Sequence, residues 1–174
     1  MKRAQSGFSL IELMTALTVL AVLFAMSVPS FRDFTRSNRV TAAHNDLVTA
    51  FTLARSEALK RSTPVSVCAS SNGTSCVSTT TTNWAVGWMV FVDGAGTAGS
   101  VDTGDAVLQT WPTINGDMTL TGTVGFVQYT PTGMVAPATA RTFDAYATGC
   151  TGKKLRRLSV SAIGAVSGTM QTCP

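Results

Sequence analysis

The sequence predicts an α+β molecule in which a long N-terminal helix packs on a small, mostly antiparallel β domain. Three observations carry that expectation. Phe8 to Val28 is an apolar run broken only by Glu12, residues 40–58 carry small or apolar side chains three and four apart, and alternation of period two begins at Pro64. At 174 residues the chain holds one ordinary domain plus an appended element. It is 45% hydrophobic but only 13% charged, with much of the apolar excess in the first 29 positions. The formal net charge is +4, and without Lys2 and Arg3 it falls to 11 basic against 9 acidic residues, too weak a balance to imply nucleic acid.

Residues 1–7 read as a short basic leader ending in Gly7. Residues 8–28 have the length that a hydrocarbon core demands of a helix and read as its transmembrane half. A secretory signal would have a shorter apolar region with the small residue after it, whereas here the small residue precedes the run. The basic flank keeps the N-terminus cytoplasmic and sends the rest across a plasma or inner membrane in a single pass. Residues 29–62 continue as an amphipathic half, with Val40, Ala43, Leu47, Ala50, Ala54 and Ala58 on one stripe and Arg55, Lys60 and Arg61 taken as solvated. Pro29 removes a backbone donor and is expected to kink or loosen the helix.

Residues 63–174 form the β-rich domain, read as five to seven short strands in a sheet or sandwich. Segments 64–70, 84–93, 106–111, 125–133, 141–147 and 155–168 supply the strands, and the threonine-rich tract near residue 80 and the stretch from Asp93 to Asp105 are long loops. Cys68, Cys76, Cys150 and Cys173 permit three connectivities; the pairing 68–76 with 150–173 is favoured because each bridge closes a hairpin-sized segment in an exported chain.

Glu12 has two readings. Ser9 and Glu12 fit a capping box at a helix start. A carboxylate in a membrane segment is costly unless partnered, and cleavage after Gly7 would place a new amine on Phe8, one helical turn from Glu12. The stretch Gly7-Phe8-Ser9-Leu10-Ile11-Glu12 resembles the class III signal peptide of type IV prepilins. The resemblance implies cleavage after Gly7 by a prepilin peptidase, N-methylation of Phe8, a docking role for Glu12 toward a neighbour's amine, and a helix-breaking role for Pro29.

The segments at 45–61, 84–93, 129–133 and 156–168 resemble the GspH/FimT group of minor pilins and pseudopilins. That resemblance covers nearly all of the chain and implies the type IV pilin fold. It implies a minor pilin that primes assembly and forms the tip of a type IV pilus, with other minor and major pilins as partners. The alternative is a minor pseudopilin of a type II secretion system. A second alternative is a DNA-binding subunit for natural transformation, since some FimT-type members bind DNA through a Gly-Arg-x-Arg motif. The corresponding residues here are Gly164-Ala165-Val166-Ser167, without either arginine. Lys153, Lys154, Arg156 and Arg157 offer a small phosphate-contacting patch, but strand alternation turns 154 and 156 away from 157, so a solvated strand edge is the preferred reading.

No enzyme is expected. His44 has no acid and nucleophile around it in the sequence, no His/Cys spacing suits zinc, and Asp93, Asp102 and Asp105 match no calcium-loop pattern, so no catalytic residue, metal or cofactor is assigned.

Overall fold

The structure is a computed structural model that describes residues 7–174 except Asn115; of residues 25–30 and Arg32 it describes the backbone but not the side chains. The leader's Lys2 and Arg3 therefore lie outside the described residues. Among the described residues a single helix, α1 (Leu10–Arg61), is followed by nine strands: β1 (Val65–Ala69), β2 (Trp88–Val92), β3 (Val107–Trp111), β4 (Met118–Gly122), β5 (Phe126–Tyr129), β6 (Val135–Ala136), β7 (Arg141–Ala147), β8 (Leu155–Val160) and β9 (Val166–Gln171). The chain divides into two units between Thr35 and Arg36.

In the first unit every described side chain from Phe8 to Phe24 is exposed. Among the described residues no helix is long and apolar enough to cross a membrane. The helix assignment runs without a break through Pro29, the position expected to kink or loosen it, and the last residues of the expected apolar run, 25–28, are described by backbone alone.

The second unit places nine strands in two antiparallel sheets. The order is β3-β2-β1-β5-β6 in one and β4-β7-β8-β9 in the other. The sequence led us to expect five to seven strands, and the differences have local causes. Segment 155–168 holds two strands, because the turn closed by Ser161 N–H donating to Ala165 O at 2.9 Å reverses it into β8 and β9. The strand expected from Trp84 begins only at Trp88. Gly87 sits between them at φ +101°, and a Cβ there would lie 2.6 Å from the Trp111 carbonyl oxygen. β4 carries three threonine or glycine residues in five and offers little apolar pattern.

One core joins the helix to both sheets. Val40, Leu47, Ala50, Phe51, Ala54 and Ala58 of α1 pack with Val65, Val67, Trp88, Val90, Val127 and Tyr129 of the first sheet and with Leu120, Phe143, Ala145, Leu158 and Val160 of the second. Alanines at three of these helical positions let the backbone approach the strands closely, and Phe51 fills the remaining depth. Its ring lies 4.9 Å from Phe143 and 6.2 Å from Trp84, and Trp84 meets Phe143 edge-on at 4.8 Å. β1 is buried on both faces. Behind it Cys68, Met89 and Phe91 form a second small cluster with Cys76, Val101 and Phe126.

Candidate functional site

The residues at the head of α1 are laid out by helix geometry. Gly7 is exposed, with nothing within 4 Å of a Cβ built on it. Phe8 is 77% exposed. Ser9 ends the non-helical segment, and its carbonyl accepts from Glu12 N–H and Leu13 N–H at 3.1 Å each. The Ser9 hydroxyl and the Glu12 carboxylate make no hydrogen bond with any described residue, so the side-chain half of the expected capping box is not formed. Phe8, Glu12, Thr15, Ala16 and Val19 recur at helical spacing and line one side of α1. The result is a single carboxylate on an otherwise uncharged, mostly apolar face, one turn from Phe8.

The four cysteines form the bridges Cys68–Cys76 and Cys150–Cys173. The first fastens the segment after β1 against the second cluster. The second fastens the chain beyond β9 to the turn before β8, where Cys173 N–H also donates to Gly152 O at 2.9 Å.

The basic residues near Cys150 are not gathered on one face. Lys153 and Lys154 are exposed in the turn before β8. Arg156 lies on the helix side, near enough to His44 to act on its charge. Arg157 lies on the opposite side, donating from Nε to Asp144 Oδ1 at 2.7 Å and from Nη2 to Asp144 Oδ2 at 2.6 Å. This ion pair raises the Arg157 pKa further. His44 is half-buried against Gly168, and burial first, then Arg156, lower its pKa below the ordinary imidazole value.

Sequence reasoning missed two anchoring residues. Arg55, taken as solvated, is partly buried: its Nε donates to Gly133 O and its Nη2 to Ile163 O, both at 3.1 Å. It thereby ties α1 to the β5–β6 turn of one sheet and the β8–β9 turn of the other. Beneath it, Tyr129 is fully buried, and that burial pushes its phenol well above the ordinary value, opposed in part by Arg55. Position 55, one turn beyond Phe51 on the packed stripe, is the one signal that could have marked it. Asp93, taken as part of a polar loop, is buried and accepts from the Ser66 hydroxyl, from Gln128 Nε2 at 2.8 Å and from Gly99 N–H at 2.9 Å. Asp102 and Asp105 likewise accept backbone N–H groups of the same loop. The three carboxylates fold the loop over the first sheet. Among the described residues no group of three His, Cys, Asp or Glu side chains is placed to hold a metal ion.

The chain is similar to known proteins at both ends. The prokaryotic N-terminal methylation motif matches residues 2–28. The family described as type II transport protein GspH matches residues 43–164. The crystal structure of the type IV minor pilin FimU of Pseudomonas aeruginosa is 26% identical, covers 81% of this chain and 92% of that one, and superposes with a TM-score of 0.58. Among curated proteins, a fimbrial protein of Pseudomonas aeruginosa is 36% identical over 33% of this chain and 38% of its own length. A type IV major alpha-pilin of Moraxella bovis is 31% identical over 36% of this chain and 39% of its own length. The chain thus spans about two fifths of the curated relatives it matches. Pilins of this kind are membrane-anchored subunits that are processed at the methylation motif and assemble with one another. The GspH match takes in the core stripe of α1 from Ala43 onward and all strands through β8, so this chain belongs to the GspH family, with a type IV pilin fold of the minor pilin and pseudopilin kind.

Proposed function

We propose that the chain is a minor pilin that a prepilin peptidase cleaves after Gly7 and that helps to prime assembly, and to form the tip, of a type IV pilus. The observation that carries this reading is the lone Glu12 carboxylate on the apolar face of α1, one helical turn from Phe8. In a membrane such a group costs several kcal/mol unless it is paired. Cleavage supplies its counterpart, the cationic N-terminal amine of Phe8, which is N-methylated. Pairing of Glu12 with the amine of a neighbouring subunit favours assembly over remaining alone in the bilayer. Before assembly the apolar residues 8–28 hold the subunit in the inner membrane, with the β domain on the periplasmic side. The four cysteines support that placement, because disulfides persist in the periplasm.

A second reading, a minor pseudopilin of a type II secretion system, is favoured by the family's description as a type II transport protein. One experiment separates the two. The gene is deleted in cells unable to retract pili, surface pili are counted by electron microscopy, and secreted enzymes are assayed in the same cultures. Few or no pili with intact secretion support the pilus role; full piliation with failed secretion moves the chain to the secretion machine. Gly7→Val should retain the leader, read by mass spectrometry. Glu12→Ala should be processed yet fail to restore assembly, and normal restoration would remove the role given to that carboxylate.

A further inference from the structure

We propose that the free edge of β9 is a docking site for an extended, acidic peptide segment of a partner protein, which adds to the second sheet as a further antiparallel or parallel strand. The proposal holds whether the chain serves a pilus or a secretion machine.

The other three sheet edges are occupied or broken. Backbone from residues 82–84 covers β4, through Gly122 N–H donating to Thr82 O at 2.8 Å and Trp84 N–H donating to Leu120 O at 2.9 Å. β6 is met by the β8–β9 turn, where Val135 N–H donates to Ala162 O at 3.0 Å. β3 carries a bulge, pairing Val107 with Phe91 and Gln109 with Val90, and such irregularities blunt an edge. β9 has neither cover nor bulge. It is six residues long, pairs only with β8, is exposed at five of its six positions, and contains no charge and no proline. The hairpin-closing bond at Ser161 and Ala165 fixes the alternation. Ser167, Thr169 and Gln171 bond to β8, while Val166, Gly168 and Met170 turn their N–H and C=O groups outward. No described residue meets those groups. The Cys150–Cys173 bridge holds the strand in place, so a partner has little ordering left to impose.

Charge selects the partner. Beside the far end of β9 stand Lys153, Lys154 and Arg156, the last directly across from Met170, and none is in an ion pair with a described residue. The fourth cation, Arg157, is held by Asp144. A segment that pairs with the outward amides and carries carboxylates at this end satisfies both features, with backbone bonds giving affinity and the cations giving selectivity.

The test uses the full chain in detergent micelles and a capped heptapeptide of alternating threonine and valine with two aspartates at one end. Amide exchange at Val166, Gly168 and Met170 should slow by roughly tenfold or more on saturation. Met170→Pro removes an outward N–H without breaking a bond to β8, so it should weaken binding by roughly tenfold with an unchanged thermal midpoint. Peptide methylated on alternate amides should fail on the unaltered protein, which gives the same answer without any substitution. K153E with K154E should weaken the aspartate peptide and favour its lysine counterpart. Absence of protection at the three amides, full binding by Met170→Pro or by the methylated peptide, or displacement of the peptide by duplex DNA that Met170→Pro holds equally well would each overturn the proposal; the last would assign the cations to a phosphate polymer.

Discussion

Replacing Arg55 by methionine keeps the aliphatic stem against the core and removes both donors. The Gly133 carbonyl, which is partly buried, and the Ile163 carbonyl, which is exposed, then lose a charged partner. Hydrogen bonds to charged groups contribute about 1.5–3 kcal/mol each. Water replaces the exposed one, so its loss falls at or below the lower end, and the sum is about 2–3 kcal/mol. For a domain of this size that corresponds to a drop in Tm of about 5–10 °C. The assay is urea unfolding of the full chain in detergent, followed by amide exchange. The Gly133 and Gly164 amides, which close the two turns onto Thr130 O and Ser161 O at 2.8 Å each, should exchange faster, while the centre of β8 stays protected. Arg55→Lys restores charge but not the fork that reaches both carbonyls, and should recover about half of the loss. A destabilisation below about 0.5 kcal/mol in Arg55→Met, or full recovery by lysine, would refute the view that this side chain holds the two turns together.

Phe51→Ala should cost about 3–5 kcal/mol in the same unfolding assay, because it empties the space between Trp84 and Phe143. Loop entropy gives about 3.4 kcal/mol for Cys150–Cys173, which closes 23 residues, and about 2.5 kcal/mol for Cys68–Cys76, which closes 8; paired serine substitutions compared under oxidising conditions should reproduce that order. His44 has a folded-state pKa below its unfolded value, so the unfolded chain binds the proton more readily. Stability should therefore fall as pH drops below about 6.5 and level off below the folded pKa. An NMR titration should place the imidazole below its ordinary value, and Arg156→Gln should move it only part of the way back, because burial is the larger cause.

The parts of the fold legible in the sequence were those with a period. Val40, Ala43, Leu47, Ala50, Ala54 and Ala58, expected on one stripe, are all buried. Both cysteine pairs could be anticipated because short segments separate them. β4 and β9 were not separately legible: threonine, serine and glycine dominate them, and five of the six β9 residues are exposed, so no apolar alternation marks it. Arg55 and Asp93 were misread for a different reason. The partners of Arg55 are backbone carbonyls 78 and 108 residues away, and those of Asp93 include Gln128, 35 residues away, so no local spacing encodes them. At the head of the chain the reverse holds. Gly7, Phe8 and Glu12 stand within one short motif, and no distant residue is needed to recognise it.

The core that joins α1 to both sheets also sets an order of folding. Phe51 meets Trp84 from the segment before β2 and Phe143 from β7, so its pocket does not exist until the greater part of the chain has been made. During synthesis the helix emerges first and has no sheet to lie against. Closing such distant contacts makes docking of α1 a late and slow step compared with formation of the β7–β8 and β8–β9 hairpins. Alanine at so many of the waiting positions keeps the unprotected helix from presenting a broad greasy surface to other chains. A leucine-rich stripe would add aggregation in that interval to crowding at the fully buried positions Ala50, Ala54 and Ala58.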